Sequence, residues 1–252
     1  MSSSSSSSSP RHEQVLVLFA SQTGNSEQAA LEIADQLPSK LSSDSHTVHS
    51  RHMQLDDFLE LHECAWTRLV VIVTSSYGVG QAPLGGYRFR EFCDALLVKH
   101  NNNNNNNMLL LEGLSFALLG LGDSKYTTFF RNPTIVNEAL QLAGATRVGE
   151  LGKADASSSG VDQLVEISKW IDGIWNELKV MLDTKPPLSK DRLKQMQLDT
   201  IRFCRELDPE FMPEQQQTKE RSGVVDVSWP VILVSVLVAV LGVVWYMYSQ
   251  EY

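Results

Sequence analysis

The sequence predicts an α/β protein in which helices cover both faces of a doubly wound parallel sheet of about five strands. Three observations predict it. Short apolar runs at 14–20, 68–74 and 115–121 show no polar alternation, as strands buried on both faces require. Helical patterns fall between and after them, at 26–37, 87–98, 133–143 and 162–178. Each of the three runs opens into a loop rich in glycine and hydroxyl side chains, at the carboxyl edge where such sheets bind ligands.

In chain order, residues 1–12 are nearly all serine at first and are expected to form a solvated, disordered tail. The first strand follows with Val15, Leu16, Val17, Leu18 and Phe19, and a helix opens at Ser26. A weaker strand is expected at 47–53, then the strand of Leu69, Val70, Val71, Ile72 and Val73. The asparagine tract 101–107 lies between a helix and the next strand, where an insertion costs little in loop closure. A last weak strand is expected at 147–151, and the body is bounded at 13–180. Pro186 and Pro187 break whatever precedes them. From 181 to 226 the expectation is a stalk containing one short helix, with loosely spaced Leu193, Met196, Phe203 and Leu207.

The chain of 252 residues suits one α/β domain with attachments, and two full enzyme domains do not fit it comfortably. Thirty acidic against 21 basic residues disfavour nucleic acid as a partner and suit an acidic carrier that docks on basic proteins. Three cysteines, Cys64, Cys93 and Cys204, form no CxxC pair and point to a reducing compartment.

The C-terminal end reads as a membrane span at 227–248. Val227 begins 24 uncharged residues, and at about 1.5 Å per residue these reach roughly 36 Å, more than a hydrocarbon layer of about 30 Å. Trp229 at one end and Trp245, Tyr246 and Tyr248 at the other stand where aromatic belts belong, and Lys219 and Arg221 precede the run. A tail anchor with a cytosolic body is expected, inserted after synthesis. The absence of Lys and Arg after the span favours the endoplasmic reticulum over the outer mitochondrial membrane.

Three loops carry the chemistry. After the first strand, Ser21, Gln22, Thr23, Gly24, Asn25 and Ser26 run directly into a helix, so hydroxyls and backbone N–H groups converge on a helix N-terminus. That is an anion cradle. A P-loop would need GxxxxGK[ST], whereas this loop has no basic residue, which suits a monophosphate better than a magnesium triphosphate; an ordinary hydroxyl-rich helix cap is the bland alternative. The next loop holds Ser75, Ser76, Tyr77, Gly78 and Gly80; the third holds Leu121, Gly122, Asp123, Tyr126 and Phe129. Each brings one tyrosine to a strand end, and two aromatic planes can sandwich a flat ring. The GLG at 120–122 fails as a dinucleotide fingerprint because Lys125 stands where the third glycine belongs.

From about residue 14 to 178 the chain resembles the flavodoxin family, and specifically the FMN domain of diflavin reductases. SQTGNSE is similar to the family's phosphate loop, SSYGVG to its first ring loop and GLGDSKY to its second. The resemblance implies a five-stranded sheet in the order 2-1-3-4-5 with FMN as cofactor. It also implies that Ser21 to Ser26 hold the phosphate and that Tyr77 and Tyr126 flank the isoalloxazine. Gly78 and Gly122 would offer backbone groups to the ring's polar edges, Asp123 would sit in a flavin-contacting loop, and Asp155, in a stretch resembling LGxxD, would lie near the ring. In two places the chain departs from the family. Val79 stands where an acid is usual, and Ala156 and serines follow Asp155 where further acids are usual.

The expected function is a lone FMN electron carrier on a membrane anchor, served by a separate NAD(P)H-dependent flavoprotein reductase and delivering to a membrane-associated redox acceptor. A self-sufficient FMN-dependent NAD(P)H:quinone oxidoreductase is the alternative enzyme, and a flavin-free binding module the alternative non-enzyme.

Overall fold

The computed structural model describes residues 10–61, 65–102, 109–157 and 160–210. The predicted span at 227–248, the polar stretch from 211 and the serines before Pro10 lie outside these, as do residues 103–107 of the asparagine tract. Among the described residues no helix is long and apolar enough to cross a membrane.

Among the described residues six strands and six helices follow one another: β1 (Arg11–Ala20), α1 (Asn25–Leu41), β2 (His46–Gln54), α2 (Leu55–Glu60), β3 (Leu69–Ser75), α3 (Tyr87–Asn102), β4 (Ser115–Gly122), α4 (Arg131–Leu142), β5 (Thr146–Arg147), β6 (Gly152–Asp155), α5 (Gly160–Thr184) and α6 (Lys190–Leu207). The sheet is wholly parallel in the order β2-β1-β3-β4-β5, as expected, with β6 also pairing with β4.

The period-2 pleat explains the continuous apolar runs. In β1, Leu16 and Leu18 face one core while Val15, Val17 and Phe19 face the other; in β3 the split is Val70 and Ile72 against Leu69, Val71 and Val73. Helices α2, α3, α4 and α6 cover the first core, and α1 and α5 the second. Both faces of these strands must therefore be apolar.

In four places the structure corrects the expectations. Arg11 and His12, placed in the disordered tail, begin β1 and pair with His46 and Thr47. The fifth strand is not continuous over 147–151: β5 pairs with the start of β4, β6 with its end, and the chain turns between them at Gly149 (φ 67°). Six-residue α2 is too short for a periodic signal, yet it carries a reciprocal cap in which Gln54 and Asp57 exchange side-chain and backbone bonds. The body also extends past 180. Helix α5 continues to Thr184, and α6, expected within a stalk, lies on the core with Met196, Phe203 and Cys204 buried.

That docking follows from the spacing of 196, 200, 203 and 204, which puts Met196, Thr200, Phe203 and Cys204 on one helix face. Phe203 meets Phe92 edge-on at 5.8 Å between ring centroids, Lys99 Nζ lies 4.8 Å over its ring, and Gln197 Nε2 donates to the Leu61 carbonyl. Cys93 and Cys204 are both buried free thiols, and burial raises both pKa values, that of Cys204 to about 12.

The amino end of the sheet is fastened by Arg68. Its Nε and Nη2 donate to Glu13 at 3.1 and 2.8 Å, and Nη1 donates to the Lys185 carbonyl at 2.7 Å. Lys185 Nζ in turn donates to Ser115 Oγ at 3.1 Å, and burial together with Arg68 lowers the lysine's pKa. One guanidinium thus joins β1 to the end of α5 beside β3, and Lys185 carries the link to β4.

If α6 is part of the domain, Phe203→Ala lowers its unfolding free energy by about 3 to 5 kcal/mol through the cavity left behind. Urea unfolding followed by circular dichroism measures this; an unchanged midpoint would return α6 to the role of spacer.

Candidate functional site

The register sets the site. Ala20 pairs with Thr74 and Thr74 with Gly120, so β1, β3 and β4 release their following loops side by side. The loops enclose a cavity of about 370 Å³, within the range of small-ligand sites.

The first loop ends at Gly24, whose φ of 95° is a left-handed conformation that a side chain would strain. It precedes α1 directly, and no side chain caps that helix. Ser21 shapes the turn: its Oγ accepts from Gly24 N–H at 3.0 Å, and its own N–H donates to the Leu84 carbonyl at 3.1 Å. The helix start is therefore open to an anion, with Gln22, Thr23, Asn25 and Ser26 on the cavity wall.

The second loop is a tight turn in which Gly80 and Gln81 N–H donate to the Tyr77 carbonyl at 3.0 and 2.8 Å. Asn132, buried at the start of α4, ties it down. Its N–H donates to Ser76 Oγ, and its amide nitrogen donates to Thr74 Oγ1 and the Ser75 carbonyl, all between 3.0 and 3.1 Å. Arg90 Nη1 donates both to Asn132 Oδ1 and to the Gly80 carbonyl at 3.1 Å.

The third loop depends on close packing at Gly120. A Cβ there would lie 2.4 Å from the Phe130 ring and 2.7 Å from Pro133, so the glycine admits the start of α4. This explains the GLG pattern without a dinucleotide. Asp123 Oδ1 accepts from Lys125 N–H at 2.9 Å and so stays within its own loop.

Of the residues expected from sequence, thirteen line this cavity: Gln22, Thr23, Asn25, Ser26, Ser75, Ser76, Tyr77, Gly78, Leu121, Gly122, Asp123, Tyr126 and Phe129. Four do not. Ser21 and Gly24 shape the first turn, and the Gly80 carbonyl faces Arg90. Asp155, expected near the ring, clamps two loops: Oδ1 accepts from Ser124 and Ser157 N–H at 2.9 Å and Oδ2 from Ser157 Oγ at 3.0 Å. Desolvation opposes ionisation there, but the bonds from Ser124 and Ser157 prevail and lower its pKa to about 2. The clamp stays ionised well below the ordinary carboxylate range.

The carbonyls of the two glycines whose backbone was expected to face a ligand are engaged within the protein. The Gly78 carbonyl accepts from Thr128 Oγ1 at 3.2 Å, and the Gly122 carbonyl accepts from Ala156 N–H at 2.9 Å and Gln163 Nε2 at 3.2 Å.

Thr128, Ala156 and Gln163 complete the wall and were not expected. Gln163 is buried and joins three segments, since its Nε2 also donates to the Ala154 carbonyl and its Oε1 accepts from Asn25 Nδ2, each at 3.2 Å. A signal was present: Gln163 occupies the stripe that continues with Ile167, Ile171, Ile174 and Leu178, an isolated amide on an apolar helix face.

Fold and site together define a doubly wound α/β domain that binds a mononucleotide at its carboxyl edge. Residues 17–170 match the flavodoxin family, and the chain belongs to it. It is 34% identical over 164 residues to methionine synthase reductase from Mus musculus and 32% identical over 165 residues to NADPH–cytochrome P450 reductase from Saccharomyces cerevisiae. Each match takes in 65% of this chain and 21% of the relative, so the chain spans about a fifth of the length of these curated relatives. Among solved structures, a cysteine-to-alanine mutant of flavodoxin from Pseudomonas aeruginosa aligns with 66% of this chain and 99% of its own, at a TM-score of 0.49 and 22% identity.

The family's cofactor is FMN, and the residues present fit it. The helix start is uncapped, the wall brings two tyrosines together, and Gln22 Oε1 is buried on that wall without a partner among the described residues. The chain is a flavodoxin-like FMN domain of the electron-transfer type.

Because the cradle consists of neutral donors, Thr23→Asp sets a carboxylate against the phosphate and costs several kcal/mol of FMN affinity, on the order expected for an unpaired, partly buried charge. Flavin fluorescence titration of the stripped protein measures the loss. Retained affinity would refute the phosphate assignment.

Proposed function

We propose that the protein is a membrane-anchored FMN electron carrier that accepts electrons from a separate NAD(P)H-oxidising flavoprotein reductase and passes them to a membrane-associated acceptor. The observation that carries this reading is the placement of Tyr77 and Tyr126, brought by different loops onto one cavity and still 47% and 64% exposed. Held on both faces by aromatic rings, a flavin offers no open face for the coplanar approach that hydride transfer from a nicotinamide requires. An exposed edge still lets single electrons pass.

FMN supplies the one-electron redox chemistry when bound. The chain's own residues bind and orient it. The start of α1, Thr23 and Ser26 hold the phosphate end, and Asn132 and Gln163 fix the two ring loops in place. Tyr77 and Tyr126 set the polarity of the ring's surroundings.

The 252-residue chain in detergent, mixed anaerobically with NADPH, is expected to stay oxidised for many minutes and to bleach within seconds once a catalytic amount of an NADPH-oxidising flavoprotein is added. Stopped-flow absorbance in the flavin band reads both. Rapid reduction by NADPH alone would defeat the carrier reading and favour the quinone oxidoreductase.

The anchoring part of the proposal rests on the uncharged run 227–250 and its flanking aromatics, and the endoplasmic reticulum is the membrane it favours. The full chain is expected to resist alkaline carbonate extraction from membranes, while a chain ending at Arg221 is released. A truncated chain that remained in the pellet would sink the tail-anchor assignment.

A further inference from the structure

A second cavity, of about 670 Å³, lies between residues 149–153 and helix α5 and shares no residue with the flavin cavity. Its volume suits a small ligand and is more than one inserted side chain needs. Close packing builds its floor. A Cβ on Gly152 would lie 2.6 Å from the Trp170 ring and one on Gly149 2.5 Å from Ile174, so both glycines let α5 approach. Trp170 is half-buried and fixed in place, its Nε1 donating to the Glu150 carbonyl at 3.2 Å. Gly173 has no such reason. It stands inside a 25-residue helix, where glycine costs stability relative to alanine, and a Cβ on it would meet nothing within 4 Å. It leaves a gap in the cavity wall between Trp170 and Glu177, which stand three residues before and four after it on the same helix face.

Five charged residues line the cavity: Glu150, Lys153, Glu166, Lys169 and Glu177. Two are drawn off, since Glu166 Oε2 accepts from Asp155 N–H at 2.6 Å and Lys153 Nζ lies 5.1 Å over the Phe130 ring. The side chains of Glu150, Lys169 and Glu177 are exposed and make no hydrogen bond or ion pair among the described residues. The two free acids share one end, because Glu177 Cγ would lie 3.7 Å from a Cβ on Gly149, the residue before Glu150. Lys169 stands eight residues before Glu177, about 12 Å along the helix. Beside the lining, Asp155 and Asp172 add negative charge and Lys179 positive, so acids outnumber bases around the cavity as well as at this end.

We infer that this cleft is a second ligand site, one that takes a small planar organic cation such as an aryl amidine or guanidine. The ring lies in the gap over Gly173 against Trp170, and the charged group meets Glu177 and Glu150. An indole attracts a flat cation through its π surface, and two unpaired carboxylates at the same end supply the complementary charge. The inference is independent of the carrier reading, since no residue of the flavin cavity takes part.

Isothermal titration calorimetry on the FMN-loaded 252-residue chain in detergent tests this, with the flavin cavity filled and a detergent blank subtracted. The probes are benzamidinium chloride, its neutral near-isostere benzamide, and arginine amide. Benzamidinium is expected to bind with a dissociation constant below about 1 mM, and benzamide at least about tenfold more weakly. Gly173→Leu, which fills the gap, is expected to abolish binding, and the exposed substitution Glu177→Gln to weaken it about fivefold or more, with the flavin absorption band unchanged in both. Benzamide binding as tightly as benzamidinium would overturn the inference by making the cleft merely apolar. Benzamidinium binding that neither variant alters, or no binding up to about 10 mM, would overturn it too. Arginine amide binding more tightly than benzamidinium would assign the cleft to an arginine side chain of a partner protein and overturn the small-molecule assignment.

Discussion

In a parallel sheet the carboxyl ends of all strands emerge along one edge, and the pairing of Ala20 with Thr74 and Thr74 with Gly120 brings three of them out level. Every feature of the site depends on that alignment. A slip of one residue would turn each strand's side chains to the opposite face, exchanging Val15 and Val17 with Leu16 and Leu18 between two differently shaped cores. It would also displace the loops against one another by about 3.3 Å. The two cores therefore hold the first loop at a set distance from the other two, and the second core adds Leu121 to the cavity wall.

The opposite edge has its own fastening. Arg68 and Glu13 form a buried two-bond pair, and the guanidinium's remaining donors reach carbonyls at the end of α5. Such a pair contributes little net stability over an apolar replacement, because desolvating both charges offsets their attraction. Its asymmetry matters more: losing either partner leaves an uncompensated buried charge, so the last turn of α5 is held to the amino ends of the strands. Glycine, hydroxyls and aromatics gather at one edge, with Asp123 on the cavity wall, and a buried ion pair fastens the other.

What the sequence made legible was whatever repeats along the chain. The three central strands could be read because Val15–Phe19, Leu69–Val73 and Phe116–Leu119 are apolar on both pleat faces, and the first loop could be read as a polar turn because its hydroxyls abut a helix start. Short or split elements could not. Helix α2 has six residues, too few for a period, and the interruption between β5 and β6 turns on the single conformation of Gly149. Helix α6 was visible as a helix, but the partners of Phe203 lie far earlier in the chain, at Phe92 and Lys99. Asp155 shows the limit at the site itself. Motif position brought it near the ring loops, yet only its bonds to Ser124 and Ser157 reveal that it clamps two of them together.

The two buried amides, Asn132 and Gln163, show how segments around the cavity are joined without adding charge. Asn132 links the end of β3 and the Ser76 loop to Arg90 on α3, and Gln163 links β4, β6 and the phosphate loop. A carboxylate or an ammonium at either place would bring the same segments together only with a charge that the surroundings would have to compensate. An amide donates and accepts at once, so its bonds are met without net charge. For a site whose ligand carries its own phosphate charge, two uncharged links add no further fixed charge beside the Asp123 already on the wall. The sequence signature of that arrangement is small: two polar residues at positions where packing alone would place apolar ones.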